Sequence, residues 1–308
     1  MLIRITAGIR HIMFAAGAFA FAAPAGAQVD YRNADPGRPT RIADAHPTER
    51  RALELSMTSA RFERLTLGRY RLQLEPRVAY GILPRTEVSF RVPVYFYERS
   101  LSPRAGIGGI GIGGEHQLTI ETLGGPALAL ASEVFIPTGP NRIKTSYSGK
   151  ALATKTFSSF RAHVNAGVLS FSYRVPPGVE KIIPPLHLPC AISQPDELSP
   201  RAICSPATAL ESAPAAFAEG DIETNASWTM GLAIDRSFPL KSLMVIADVY
   251  RQKYEGIGRP ADWTAEIGAR KQVTRALVVD GGFGRLFTGE SRSWFVIFGT
   301  TFTRAGKL

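Results

Sequence analysis

Nucleophilic or metal-assisted chemistry in this chain of 308 residues would have to start from its five histidines and two cysteines. His163 in FRAHVNAG and His116 in GGEHQL lie in strand-like runs. Neither has a serine in a recognisable nucleophile context, and the chain has no His-Glu-x-x-His, Gly-x-Ser-x-Gly or P-loop motif. The enzymatic reading that survives is lipid modification by a Ser/His site on a barrel wall. Against it, His163 beside Arg161 and Asn165 reads as an inward polar residue. His116 shares the outward parity of Ile112, Leu118 and Ile120, at the rim of a membrane. Cys190 and Cys204 form an even pair in a Pro- and Ser-rich segment, which in an oxidising compartment reads as one disulfide. His187 is the only further ligand nearby, so no metal site is expected. Gly106, Gly108 and Gly111 match Gly-x-Gly-x-x-Gly, but a dinucleotide site needs a helix after the glycines. Glu115 to Glu121 instead continues in strand alternation, so no cofactor is expected.

A second group is more informative: Glu75, Arg77, Glu87, Arg91, Glu115, Glu133, Arg161, His163, Asp248, Glu266, Arg270 and Asp280. Each falls on the polar face of its own run. In TEVSFRVPVYFY (Thr86–Tyr97), Val88, Phe90, Val92, Val94 and Phe96 share one parity, and Glu87, Ser89 and Arg91 the other. A strand sends successive side chains to opposite faces, so such a run has one oily and one charged side. Facing lipid, a basic side chain at mid-membrane costs ~2–4 kcal/mol; facing a lumen it hydrates or pairs. Two roles stay open for this set: salt bridges that fill a lumen, or a constriction that sets selectivity.

The elements that position these residues are strands of about ten residues, repeated from Arg51 to Arg304. Residues 1–27 read as a signal peptide, with Arg4 and Arg10, the apolar run Ile12–Ala23 and the small residues Ala25-Gly26-Ala27. Residues 28–50, rich in Pro, Asp and Arg without periodicity, read as a disordered periplasmic tail. Twelve strands follow, the first of which, in ERRALELSM, is also compatible with a helical turn. Short turns and long loops must alternate in an outer-membrane barrel. This splits 148–173 at Ser158-Ser159 and makes 174–222 an extracellular loop; residues 305–308 are a tail. The fold class is therefore an all-β transmembrane antiparallel barrel of twelve strands, or ten if the ends are misread. The basic charge, +10 overall and +8 after removal of Arg4 and Arg10, is scattered along an exported chain and does not indicate nucleic acid.

The blocks LEPRVAYGILPRTEVSFRVPV (Leu74–Val94), GIGGIGIGGEHQL with PALALASEVFIPTG (Gly106–Gly139), HVNAG (His163–Gly167) and DGGFGRLFTGESRSWFVIFGTTF (Asp280–Phe302) carry a resemblance. The chain resembles the outer-membrane transporter family of the phenol-degradation meta-pathway. That resemblance implies a Gram-negative outer-membrane location and passage of small, apolar or aromatic molecules, with no catalytic residues to carry over. The chain departs from barrels that end on an aromatic residue, because Phe302 is followed by six more residues. The expected partners are outer-membrane lipid and lipopolysaccharide, the barrel-assembly machinery and a small solute. The expected activity is that of a passive pore or facilitator rather than an enzyme. The alternative is a structural or surface-interaction barrel with a plugged lumen.

Overall fold

The computed structural model describes residues 31–34, 37–56, 60–64, 70–99, 102–138, 144–174, 222–255, 261–287 and 293–305. The expected signal peptide, most of the expected extracellular loop with Cys190 and Cys204, and the last three residues lie outside them.

Alternation yields twelve strands. β1 comprises Ala52–Ser56 and Ala60–Arg64, β2 Tyr70–Leu74 and Arg77–Leu83, β3 Thr86–Arg91 and Val94–Arg99, and β4 Ser102–Ile107 and Gly109–Thr119. The others are unbroken: β5 Ala127–Pro137, β6 Ser146–Thr156, β7 Arg161–Arg174, β8 Ile222–Phe238, β9 Leu243–Tyr254, β10 Asp262–Gln272, β11 Leu277–Leu286 and β12 Trp294–Ala305. Every strand pairs antiparallel with its sequence neighbours. β1 also pairs with β12, from Ala52↔Ala305 to Arg64↔Trp294, and this seam closes the cylinder. Within ERRALELSM, Ala52–Ser56 is thus strand rather than helix, and β4 starts at Ser102.

The interruptions in β2 and β3 have a shared cause. Pro76 and Pro93 have no N–H to give to a ladder. The neighbouring chains stitch across the gap, Val92 N–H to the Pro76 carbonyl (3.1 Å) and Gly108 N–H to the Pro93 carbonyl (2.8 Å). At Gly109, φ is +155°, and a side chain there would run into the Ile136 carbonyl and the Phe135 ring. The glycine run therefore bends β4 and continues as strand, with no helix after it.

The outer wall is apolar. Leu130, Ile136, Met230, Leu232, Ile234, Ile267 and Phe298 are all exposed on it. Acids and bases alternate with such residues and point inward. Short turns, such as Pro84–Arg85 and the Phe157–Phe160 turn (2.8 Å), lie at one end, where β1 starts and β12 finishes. We call this the turn end and the other the loop end.

The expected disordered tail is the main correction. Of residues 31–50, all those described occupy the lumen or its turn-end rim: Ala34, Arg38, Thr40, Ile42, Asp44, Ala45 and Thr48 are buried. This strap enters at the turn end, doubles back through Asp44 N–H to the Ala34 carbonyl (3.1 Å), and packs on both lumen walls. Ile42, Tyr31 and Ala34 join Ala233, Met244, Ile246, Tyr250 and Val278 in one cluster, and Ala45 joins Ala127, Ala129 and Leu152 in another. The physical reason is size. Twelve strands lie between small barrels that side chains fill and porins of ~16–18 strands with an open channel. A chain segment takes up the difference.

Candidate functional site

All twelve lumen residues singled out from the sequence face the interior, and they sort into two storeys. The storey at the turn end seats the strap. Asp280 meets Arg38 at 3.1 Å, and Arg38 also donates to Ser56 of β1 (2.6 Å) and Thr301 of β12 (2.8 Å), clasping the seam from inside. Arg270 donates to the Asn33 carbonyl. One Asp248 oxygen accepts the backbone N–H groups of Arg41 and Ile42, each at 3.0 Å. Glu87 accepts both the N–H (2.8 Å) and the hydroxyl (2.7 Å) of Thr48 and pairs with Arg77. Glu115 is buried on the same wall, where it lines a small pocket with Asp44, Thr48 and Glu87. Arg161 reaches the Arg32 carbonyl, Asp235 (2.8 Å) and Asp44 (3.8 Å).

The barrel's glycines complete the seat. A Cβ on Gly268 would lie 2.6 Å from the Pro39 Cβ, and one on Gly282 would strike the Pro39 carbonyl. Gly231 leaves similar room for Ile42. The strap lies against the barrel backbone where only glycine lets it approach so closely.

His163 is fully buried. Its Nε2 lies 2.7 Å from Asp235 and its Nδ1 3.0 Å from the Thr154 hydroxyl. Hydroxyl, imidazole and carboxylate in this order have the geometry of a nucleophile with its base. Here the Thr154 oxygen already accepts the Ala45 N–H of the strap at 2.9 Å, and Thr154 is 0 % exposed. The constellation fixes the strap and offers no path to a substrate. Burial pushes the Asp44 carboxyl above its ordinary range, against the opposing pull of Arg161, His46 and His163. His116 faces outward, exposed, with Nδ1 2.8 Å from the Thr86 hydroxyl close to the turn end.

The storey at the loop end is a cavity of about 460 Å³ whose floor is the strap, contributed by Gly37, Arg38, Arg41, Ile42 and Ala43. Glu75 and Glu133 share Arg91, at 2.7 Å and 2.6 Å. Gly111 leaves room for that triad, since a side chain there would come within 2.8 Å of the Arg91 stem. Glu266 lies 3.9 Å from Arg61, which sits over the Phe295 ring, and Glu63 holds Arg71. Sequence reasoning missed Asp235, Arg61, Glu63, Arg71 and Lys150. Their inward strand parity was the available signal. It missed the strap's Arg38, Arg41 and Asp44 altogether, because that segment has no periodicity to read.

No protein-family model matches the chain, and no curated protein matches it. Among solved structures it is similar to a COG4313 outer membrane channel from Pseudomonas putida F1, at 10% identity and a TM-score of 0.53, over 88% of this chain and 99% of that one. It is also similar to the NanC porin, at 8% identity and a TM-score of 0.50, over 83% and 100% of the two chains. At these identities the likeness is one of fold: a closed twelve-stranded antiparallel barrel of the outer-membrane porin type.

Proposed function

We propose that this chain is an exported outer-membrane channel for small solutes, opened when the strap leaves its seat. The observation that carries this reading is the cavity of about 460 Å³ floored by a polypeptide strap instead of by closely packed wall side chains. A lumen filled only for stability would have no vestibule above its plug. The apolar outer wall supports a lipid surround, including lipopolysaccharide, and so assembly by the outer membrane's barrel-insertion machinery. The sequence resemblance to the phenol-degradation meta-pathway transporters supports passage of small apolar or aromatic molecules. In an oxidising compartment Cys190 and Cys204 would pair. What favours a channel over an enzyme is that the one hydroxyl–imidazole–carboxylate set described lies sealed beneath the strap.

A second reading, a structural barrel with a permanently plugged lumen, is favoured by the number of strap contacts. A lock decides between the two. Pro39→Cys with Gly268→Cys, in a background with Cys190 and Cys204 changed to Ser, places two thiols where a disulfide can form after a shift of about 1 Å. In planar bilayers the oxidised protein is expected to pass little current, and reduction is expected to raise it several-fold. Silence in both states assigns the structural role.

A further inference from the structure

The vestibule's charges are distributed unequally between its walls and its void. Seven acids line it, and most are tucked away: the side chains of Glu63, Glu87 and Glu266 are 6 %, 6 % and 1 % exposed. The two more open acids, Glu75 and Glu133, both hold Arg91. Two cations differ from all of these. Arg41 on the strap and Lys150 on β6 are exposed to the cavity, and among the described residues neither side chain makes a hydrogen bond or an ion pair. The Arg41 guanidinium lies 4.5 Å over the Tyr250 ring. The charge of Arg41 acts on Lys150, while Glu266 and Asp248 act on Arg41, and Glu133 and Glu75 on Lys150, from beyond ion-pair distance. The exposed charged side chains left without an ion pair are therefore both cationic, although seven acids of the lining face seven bases once the strap is included. Enclosing walls focus such a field on whatever enters. The lining also offers apolar surface, from Leu152, Ile297 and the rings of Tyr250 and Tyr254.

We propose that the vestibule holds a recognition site for a small organic acid, its carboxylate taken by Arg41 and Lys150 and its apolar body by Tyr250 and the facing aliphatic wall. This rests on the channel reading above and names its substrate class. A volume of about 460 Å³ lies within the ~300–1,000 Å³ of small-molecule sites. Arg suits the task because its planar fork meets a carboxylate through two parallel N–H donors. Because Arg41 belongs to the strap, the acid would touch the element that blocks its own exit.

The test uses three probes with one ring: benzoate, benzyl alcohol and benzylamine. Binding to the full-length protein in detergent is measured by calorimetry, and block of ion current is measured in bilayers. Benzoate is expected to bind about tenfold more tightly than the alcohol or the amine, as for one charge-assisted contact. Arg41→Gln and Lys150→Gln are each expected to remove most of that advantage, and Arg41→Lys is expected to restore part of it. Cross-linking at the Pro39/Gly268 cysteine pair checks that the strap of each variant stays seated. Equal binding of benzoate and benzylamine, or an advantage that survives both Gln variants, overturns the proposal. The two readings fail separately: current without a preference for benzoate sinks the site and leaves the channel. Charge-selective binding without current in any state sinks the channel and leaves the site.

Discussion

Arg38 concentrates the strap's energetics in one side chain. It is 2 % exposed, faces a fully buried Asp280 carboxylate, and touches both strands of the seam. Removing one partner of such a pair leaves a buried charge uncompensated, at a cost of about 3–5 kcal/mol. Arg38→Ala is therefore expected to unseat the strap, seen as rapid proteolysis of residues 31–50 in folded protein; a strap as resistant as in the wild type would refute it. Gly282→Val works from the opposite side by putting a branched side chain against the Pro39 carbonyl. It should raise conductance without changing the heat-modifiability of the barrel, and an unchanged current would show that Pro39 can find another path. At this scale the sequence was half legible. The wall residues gave themselves away by parity, since Asp248 and Asp280 sit among outward Val and Phe. Gly268 and Gly282 did not, because a glycine leaves no mark of which face it clears.

At the scale of elements, strands were legible wherever the alternation continued, and turn-versus-loop alternation supplied the division between β6 and β7. The proline breaks in β2 and β3 were not readable, because a single missing N–H donor is local and leaves the parity on either side intact. The strap was unreadable for a different reason: many of the groups that hold it, such as Asp248, Asp280 and Thr301, lie 207 to 263 residues away in the chain. Its docking should also respond to acid. Burial in the seat raises the Asp44 pKa, so the docked state holds a proton that a released, solvated Asp44 gives up. The seat therefore tightens as pH falls through the raised Asp44 value toward its ordinary range, and loosens above it. Arg161, His46 and His163 face the same carboxyl and limit the effect. Current through wild-type protein is expected to fall on acidification, and Asp44→Asn to flatten that slope. A current that rises toward low pH in the wild type would contradict this.

At the scale of the whole molecule, the inside-out distribution of polarity requires lipid outside. Val279 sits between inward Val278 and Asp280 and so points to the outer face, whereas Ser89 lines the vestibule. An arginine at the first position should cost ~2–4 kcal/mol if it faces the membrane interior and reduce the heat-modifiable band in outer-membrane fractions. An arginine at Ser89 should leave that band intact and alter current instead. Equal effects at both positions would show that the barrel wall is not where these residues place it.

The seam clasp also bears on how the barrel forms. β1 and β12 join Ala52 to Ala305, so the contact that completes the cylinder has the longest sequence separation in it. Closing such a loop costs entropy that grows with its length, and late, non-local pairings slow folding. Arg38 lies only 18 residues from Ser56 yet grips Thr301, so the strap gives β12 a docking point carried by β1's own end of the chain. The strap runs straight on into β1 at the turn end, so it is at hand there while the last hydrogen bonds zip. The segment that blocks the finished channel is thus also a guide for its closure. A barrel deprived of the strap should reach the same final wall more slowly, with the delay confined to the last step.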